Sequence, residues 1–204
     1  MTLDDLNTAA AALRLTALGG FHDGRKTTVL LGPLEPGFWP FVTKQQAFKG
    51  ADPLDHWSRD AIMSLAQATK TQAAFPFGGP PHHPFIAWAL RSGEVWLSPV
   101  GLLVHKDAGL LVSYRGALIF DELIELPSAA QSPCDSCTDR PCLSACPVLA
   151  LAPDGYDVVR CKAHMDVDTS CRAACRVRMS CPVSQSYGRD PAQTAFHMEV
   201  FHPS

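Results

Sequence analysis

Eight cysteines are confined to the last third of this 204-residue chain, and residues 1–133 contain none. The first four read Cys134-x2-Cys137-x4-Cys142-x3-Cys146-Pro147. The second four are Cys161, Cys171, Cys175 and Cys181, and Pro182 stands behind the last. Few structures use thiols this densely except an iron–sulfur cluster. A cubane presents four irons, each taking one thiolate, and a short loop wraps only three of its corners. The fourth thiolate has to arrive from a distant segment. A proline behind that cysteine turns the chain away, because it cannot continue the preceding hydrogen-bonded backbone.

Two quartets, each closed by Cys-Pro, resemble the two-cluster ferredoxins, in which the Cys-Pro cysteine ligates the other cluster. That resemblance implies two [4Fe-4S] clusters. One would be held by Cys134, Cys137, Cys142 and Cys181, the other by Cys146, Cys161, Cys171 and Cys175. The spacing departs from the bacterial run at Thr138-Asp139-Arg140-Pro141, which enlarges the first loop, and throughout the second quartet. Two other uses of the thiols compete. A disulfide scaffold suits a small secreted chain. This chain is 47% apolar, and its acidic start, Met1-Thr2-Leu3-Asp4-Asp5, lacks the basic and apolar regions of a leader. Structural zinc favours paired C-x2-C knuckles, and only Cys134/Cys137 has that spacing.

With a net charge of −3, bulk electrostatics does not suggest a nucleic-acid partner, and none is expected. No apolar run reaches the ~18 residues that span a bilayer. The expectation is a cytoplasmic protein in a reducing compartment, where thiolates survive to bind iron. Arg160, Lys162, Arg172, Arg176 and Arg178 surround the second quartet. They are either a solvated face or cations that offset cluster charge or dock an acidic redox partner.

The cysteine-free part reads as an α+β module over 1–126, followed by a small ferredoxin-like domain over 127–204. Thr2 and Asp5 form a capping-box pattern, and the Ala/Leu-rich stretch predicts a helix to Leu18, stopped by Gly19-Gly20. Thr27–Leu31 reads as a buried strand, and Phe38–Phe48 as a helix with Pro40 in its first turn. Asp52-Pro53 reads as a cap and first-turn proline. Behind it Leu54, Trp57, Ala61, Leu65 and Ala68 repeat at helical spacing. Ala73–Phe75 suits a strand. Pro76–Pro84 is too rich in proline and glycine for regular structure. Phe85–Arg91 suits a helix, and Val95–Leu97 and Leu102–His105 suit strands. Leu110–Phe120 reads as a strand in a hairpin with Leu102–His105 through the turn Lys106–Gly109. Helices against a mostly antiparallel sheet make the class α+β. His82 and His83 are candidate cofactor contacts, and Phe38, Trp39, Phe41 and Phe77 could wall a planar group; ordinary loop and core roles compete. Neither G-x-G-x-x-G nor G-x-x-x-x-G-K-[ST] occurs, so no dinucleotide or phosphate loop is expected.

The stretch Ser98–Ala117, leading into the cysteines, resembles the same join in the epoxyqueuosine reductases, cobalamin-dependent enzymes with a two-cluster domain. Asp52-Pro53 with its helix, and Val104-His105 through Arg115-Gly116, are similar to the cobalamin-processing family of methylmalonic aciduria type C. Both families build their site on a nitroreductase-like fold. The resemblance implies a corrinoid or flavin (cobalamin or FMN) on the first module, and a glutathione contact at Arg115. Arg115 could equally pair with a carboxylate such as Asp121. Unlike epoxyqueuosine reductase, the chain carries no C-terminal helical repeats for tRNA. The leading expectation is one-electron transfer to or from a redox protein; a corrinoid- or flavin-dependent reductase and a zinc-stabilised interaction module are the alternatives.

Overall fold

The computed structural model describes residues 1–203. Two compact units emerge. The first is Met1–Val95 with Ser113–Ala130, and the second is Trp96–Val112 with the chain from Gln131 on. The division does not follow a cut at residue 126. Trp96–Val112 joins the cysteine-rich part because Val100, Val104 and Leu110 share a buried cluster with Cys142, Leu151 and Val177.

The first unit is a four-stranded antiparallel sheet with helices. Helix α1 spans Leu3–Ala11 and opens with the expected capping box, Thr2 and Asp5 bonding each other's backbone. It does not reach Leu18. Arg14 takes a left-handed conformation (φ 53°), and strand β1 (Leu15–Asp23) follows at once. The Gly19-Gly20 pair is therefore not a helix stop. It lies where the β1–β2 register shifts between Ala17 and Gly20, with Gly19 at φ 110°. A side chain on Gly19 would also strike Ser92, 2.7 Å away.

Strand β2 (Lys26–Pro33) is buried from Thr27 onward. Both faces are covered, which is why Val29-Leu30-Leu31 reads as an unbroken apolar run. After α2 (Phe38–Val42), shorter than the sequence suggests, comes α3 (Pro53–Thr69). Asp52 precedes it in a left-handed conformation, and its side chain makes no cap hydrogen bond. The buried face of α3 is Leu54, Trp57, Ser58, Ala61, Ile62, Leu65 and Ala66; Ala68 points to solvent. Strand β3 (Gln72–Ala74) and helix α4 (Phe85–Arg91) follow. Strands β4 (Val95–Leu97) and β5 (Leu103–His105) pair with each other.

Strand β6 covers only Gly116–Phe120 and does not form a hairpin with β5. It lies between β2 and β3, giving the order β1-β2-β6-β3. Its partners are distant in sequence, so local hairpin chemistry could not reveal them. Helix α1 packs on β1, α3 on β6 and β3, and α4 on β1. The buried Thr27 hydroxyl donates to Glu122 O (2.9 Å) and accepts from Ile124 N–H (3.0 Å), tying down the chain that leaves β6.

In the second unit the turn after β5 is closed by a side chain. The buried His105 accepts from the N–H groups of Asp107 (3.0 Å) and Ala108 (3.2 Å) through Nδ1. His105 and Gly109 exchange backbone bonds of 3.0 and 2.9 Å. Beyond lie a 3-10 turn at Pro141–Leu143 and the short strands β7 (Leu151–Ala152) and β8 (Gly155–Tyr156). The remainder is helical: α5 (Val158–Met165), α6 (Thr169–Ala173), α7 (Arg176–Ser180), α8 (Pro182–Ser186) and α9 (Pro191–Phe201). Among the described residues no helix is long and apolar enough to cross a membrane.

Candidate metal centre

None of the eight cysteines is joined in a disulfide in this structure. They line two separate cavities of the second unit, and the grouping crosses the order of the sequence. A cavity of about 220 Å³ is lined by Cys134, Cys137, Cys142 and Cys181. A tighter one of about 30 Å³ is lined by Cys146, Cys161, Cys171 and Cys175.

Each crossing is built by local structure. Cys142 ends on the 3-10 turn facing the first cavity, and Cys146, four residues on, faces the second. The Ala150 N–H donates to Cys146 Sγ at 3.2 Å, fixing that sulfur. On the return, Cys175 stands at the N-terminal end of α7 and Cys181 at its C-terminal end. One short helix therefore joins the two sites, and its length separates those two residues by only about 9 Å along the axis. Val177, on the buried side of α7, packs in the same cluster as Cys142, against which Cys134, Cys146, Cys175 and Cys181 also lie.

The β5 turn holds Cys181 in place. The Leu110 N–H donates to Ser184 Oγ (2.9 Å), and Arg178 donates to Leu110 O. Gly109 allows this approach, since a Cβ there would lie 2.5 Å from the Ser184 backbone nitrogen. Pro182 at the first turn of α8 starts the helix that carries Ser184.

Burial pushes the thiols of Cys134, Cys142, Cys161 and Cys171 above the ordinary cysteine range. Neighbouring thiols add to it: Cys137 and Cys181 act on Cys134, while Cys146 and Cys175 act on Cys161. Four thiols gathered around an apolar hollow suit a multivalent cationic core, which offsets the cost of burying them as thiolates. This donor set fits iron–sulfur ligation in number and chemistry.

The cations near the second quartet have local duties. Arg160 pairs with Asp157 (3.4 Å), Arg172 with Asp166 (2.7 Å) and Arg176 with Asp168 (2.9 Å). Lys162 lies 5.1 Å from the Phe201 ring. Sequence reasoning missed three groups at this site. Tyr156 stands with its hydroxyl against Cys161 and stacks on Phe201, while His164 and Asp168 lie beside Cys171. The spacing Cys161-x2-His164 on a helix was the signal for the histidine.

The remaining candidates lie in the first unit. His82 and His83 are exposed, and the His83 ring sits 5.3 Å from Trp88. Phe38 and Phe41 pack on Trp57, and Phe77 sits with Phe75. Arg115 pairs with a carboxylate, but not Asp121, which bonds Lys26 (2.8 Å). Its partner is Asp55, at 3.2 Å.

No family model and no curated protein matches the chain. Among solved structures, that of selenomethionine-labelled epoxyqueuosine reductase is similar. The TM-score is 0.56 at 15% identity, over 94% of this chain and 70% of that one. At this identity the likeness is one of fold, and it spans the α+β architecture and the cysteine-rich part alike.

The Arg115–Asp55 pair carries a prediction. Burial raises the Asp55 carboxyl, and Arg115 opposes that rise. A raised carboxyl favours folding most below its unfolded value, and that contribution is lost as pH rises through the folded value. Arg115→Met removes the opposing charge. It should cost on the order of 2 kcal/mol at pH 7, less than for a fully buried pair because Asp55 stays 34% exposed. The loss should shrink as pH falls through the Asp55 titration, and Arg115→Met/Asp55→Leu should recover most of it in thermal melts.

Proposed function

We propose that the chain is an iron–sulfur electron-transfer protein with two [4Fe-4S] sites. Cys134, Cys137, Cys142 and Cys181 would hold one, and Cys146, Cys161, Cys171 and Cys175 the other. The observation that carries this reading is the crossed grouping of eight free thiols around two cavities. The fold likeness to epoxyqueuosine reductase supports a redox role. Bound there, the clusters would supply one-electron exchange.

The chain's own contribution is geometric and electrostatic. Val104, Leu110 and Val183 give the first sulfur group a partly apolar lining. The Ala150 N–H stabilises negative charge on Cys146, one of the levers that sets a potential. Helix α7 keeps the two sites one short step apart. Thiols favoured as neutral must release protons as metal enters, so loading should weaken as pH falls. The natural partner is a redox protein, donor or acceptor, in a reducing cytoplasm.

Anaerobic reconstitution should give about eight irons per chain, the content of two cubanes. Cys137→Ala and Cys175→Ala should each retain about half. Zinc in place of iron in anaerobically purified protein would overturn the reading in favour of a zinc-stabilised module.

A corrinoid- or flavin-dependent reductase is the second reading, favoured because the fold likeness extends over the first unit. Titration with cob(II)alamin and with FMN separates the two. A spectral shift with retention on gel filtration supports the reductase, and neither ligand binding leaves electron transfer alone.

A further inference from the structure

The second sulfur group contains more than sulfur. The donor atoms of His164, Asp168 and Cys171 lie within 4.8 Å of one another. Cys161 and His164 stand three residues apart on α5, hence on one helix face, and both line the second cavity. The His164 Nε2 is fully buried and makes no hydrogen bond, although Asp168 Oδ2 is 3.3 Å away. Asp168 cannot swing aside. Its carboxylate accepts from Ser170 N–H (3.0 Å), Ser170 Oγ (2.6 Å) and Arg176 (2.9 Å). A carboxylate beside one ring nitrogen orients a histidine so that the other nitrogen can face a metal; Asp168 stands at Nε2, which leaves Nδ1 as the donor. The first cavity has no counterpart, for no histidine or carboxylate is among the residues that line it.

We propose that His164, steered by Asp168, is a metal ligand of the second site at the corner served by Cys171. The proposal rests on the iron–sulfur reading and deepens it. The site then offers five donors, four thiolates and one imidazole, and the two sites differ chemically. An imidazole that takes an iron in place of the Cys171 thiolate leaves the cluster with one negative charge fewer, so imidazole ligation raises its potential. The second site is accordingly the electron-accepting one of the pair.

The test compares anaerobically reconstituted full-length variants by iron content and by redox titration followed by electron paramagnetic resonance. Cys171→Ala should keep nearly all its iron, because His164 still holds that corner. Cys171→Ala/His164→Ala should lose about half, and His164→Cys in the Cys171→Ala background should keep it. His164→Ala alone should retain its iron but lower the midpoint of one of two signals, leaving the other unmoved. Loss of half the iron from Cys171→Ala alone overturns the proposal. So does an unmoved midpoint in His164→Ala, which decides the matter if Cys171→Ala fails to fold. A wild-type chain that takes up no iron would instead sink the underlying reading, so the two failures are distinguishable.

Discussion

Two thiols, Cys146 and Cys181, face away from their sequence neighbours and toward the other group. A metal core needs donors from more than one direction, and a single loop cannot supply them. The proposed ligation would meet this by interleaving two segments. The link Cys142–Cys146 and the helix between Cys175 and Cys181 are the two crossings. Because both are short, the two thiol groups stay close. Because Val177 and Cys142 are buried together, the crossings are also part of the core. Removing a crossing would disturb packing and donor geometry at once.

The β5 turn shows how packing reaches the site. His105 closes it, Gly109 lets it approach α8, and Ser184 and Arg178 bind its backbone. None of these residues is a sulfur donor. They determine where Cys181 points, and so whether the first group has a fourth member. This is also why Trp96–Val112 belongs with the cysteines, although its pattern reads as an extension of the preceding sheet.

Much of the fold was legible because local signals agreed. The capping box of α1, the apolar run of β2, the face of α3, and the bounds of α4 and β4 follow from capping, burial and periodicity. The failures share one cause, which is dependence on distant partners. Gly19-Gly20 signals a stop in isolation, yet β2 recruits it into a bulged strand. The partners of β6 are β2 and β3, and the carboxylate for Arg115 comes from α3, sixty residues away. The cavity that each thiol lines matches the Cys-Pro punctuation, while ligation by those thiols stays a proposal. Tyr156, His164 and Asp168 were not legible, since only the folded hairpin and helices bring them to the sulfurs.

The most direct measurement is iron-edge anomalous diffraction from crystals grown without oxygen. Interleaved ligation predicts two iron peaks, one enclosed by Cys134, Cys137, Cys142 and Cys181 and the other by Cys146, Cys161, Cys171 and Cys175. Peaks absent from both cavities, or one peak held by Cys134, Cys137, Cys142 and Cys146, would contradict it.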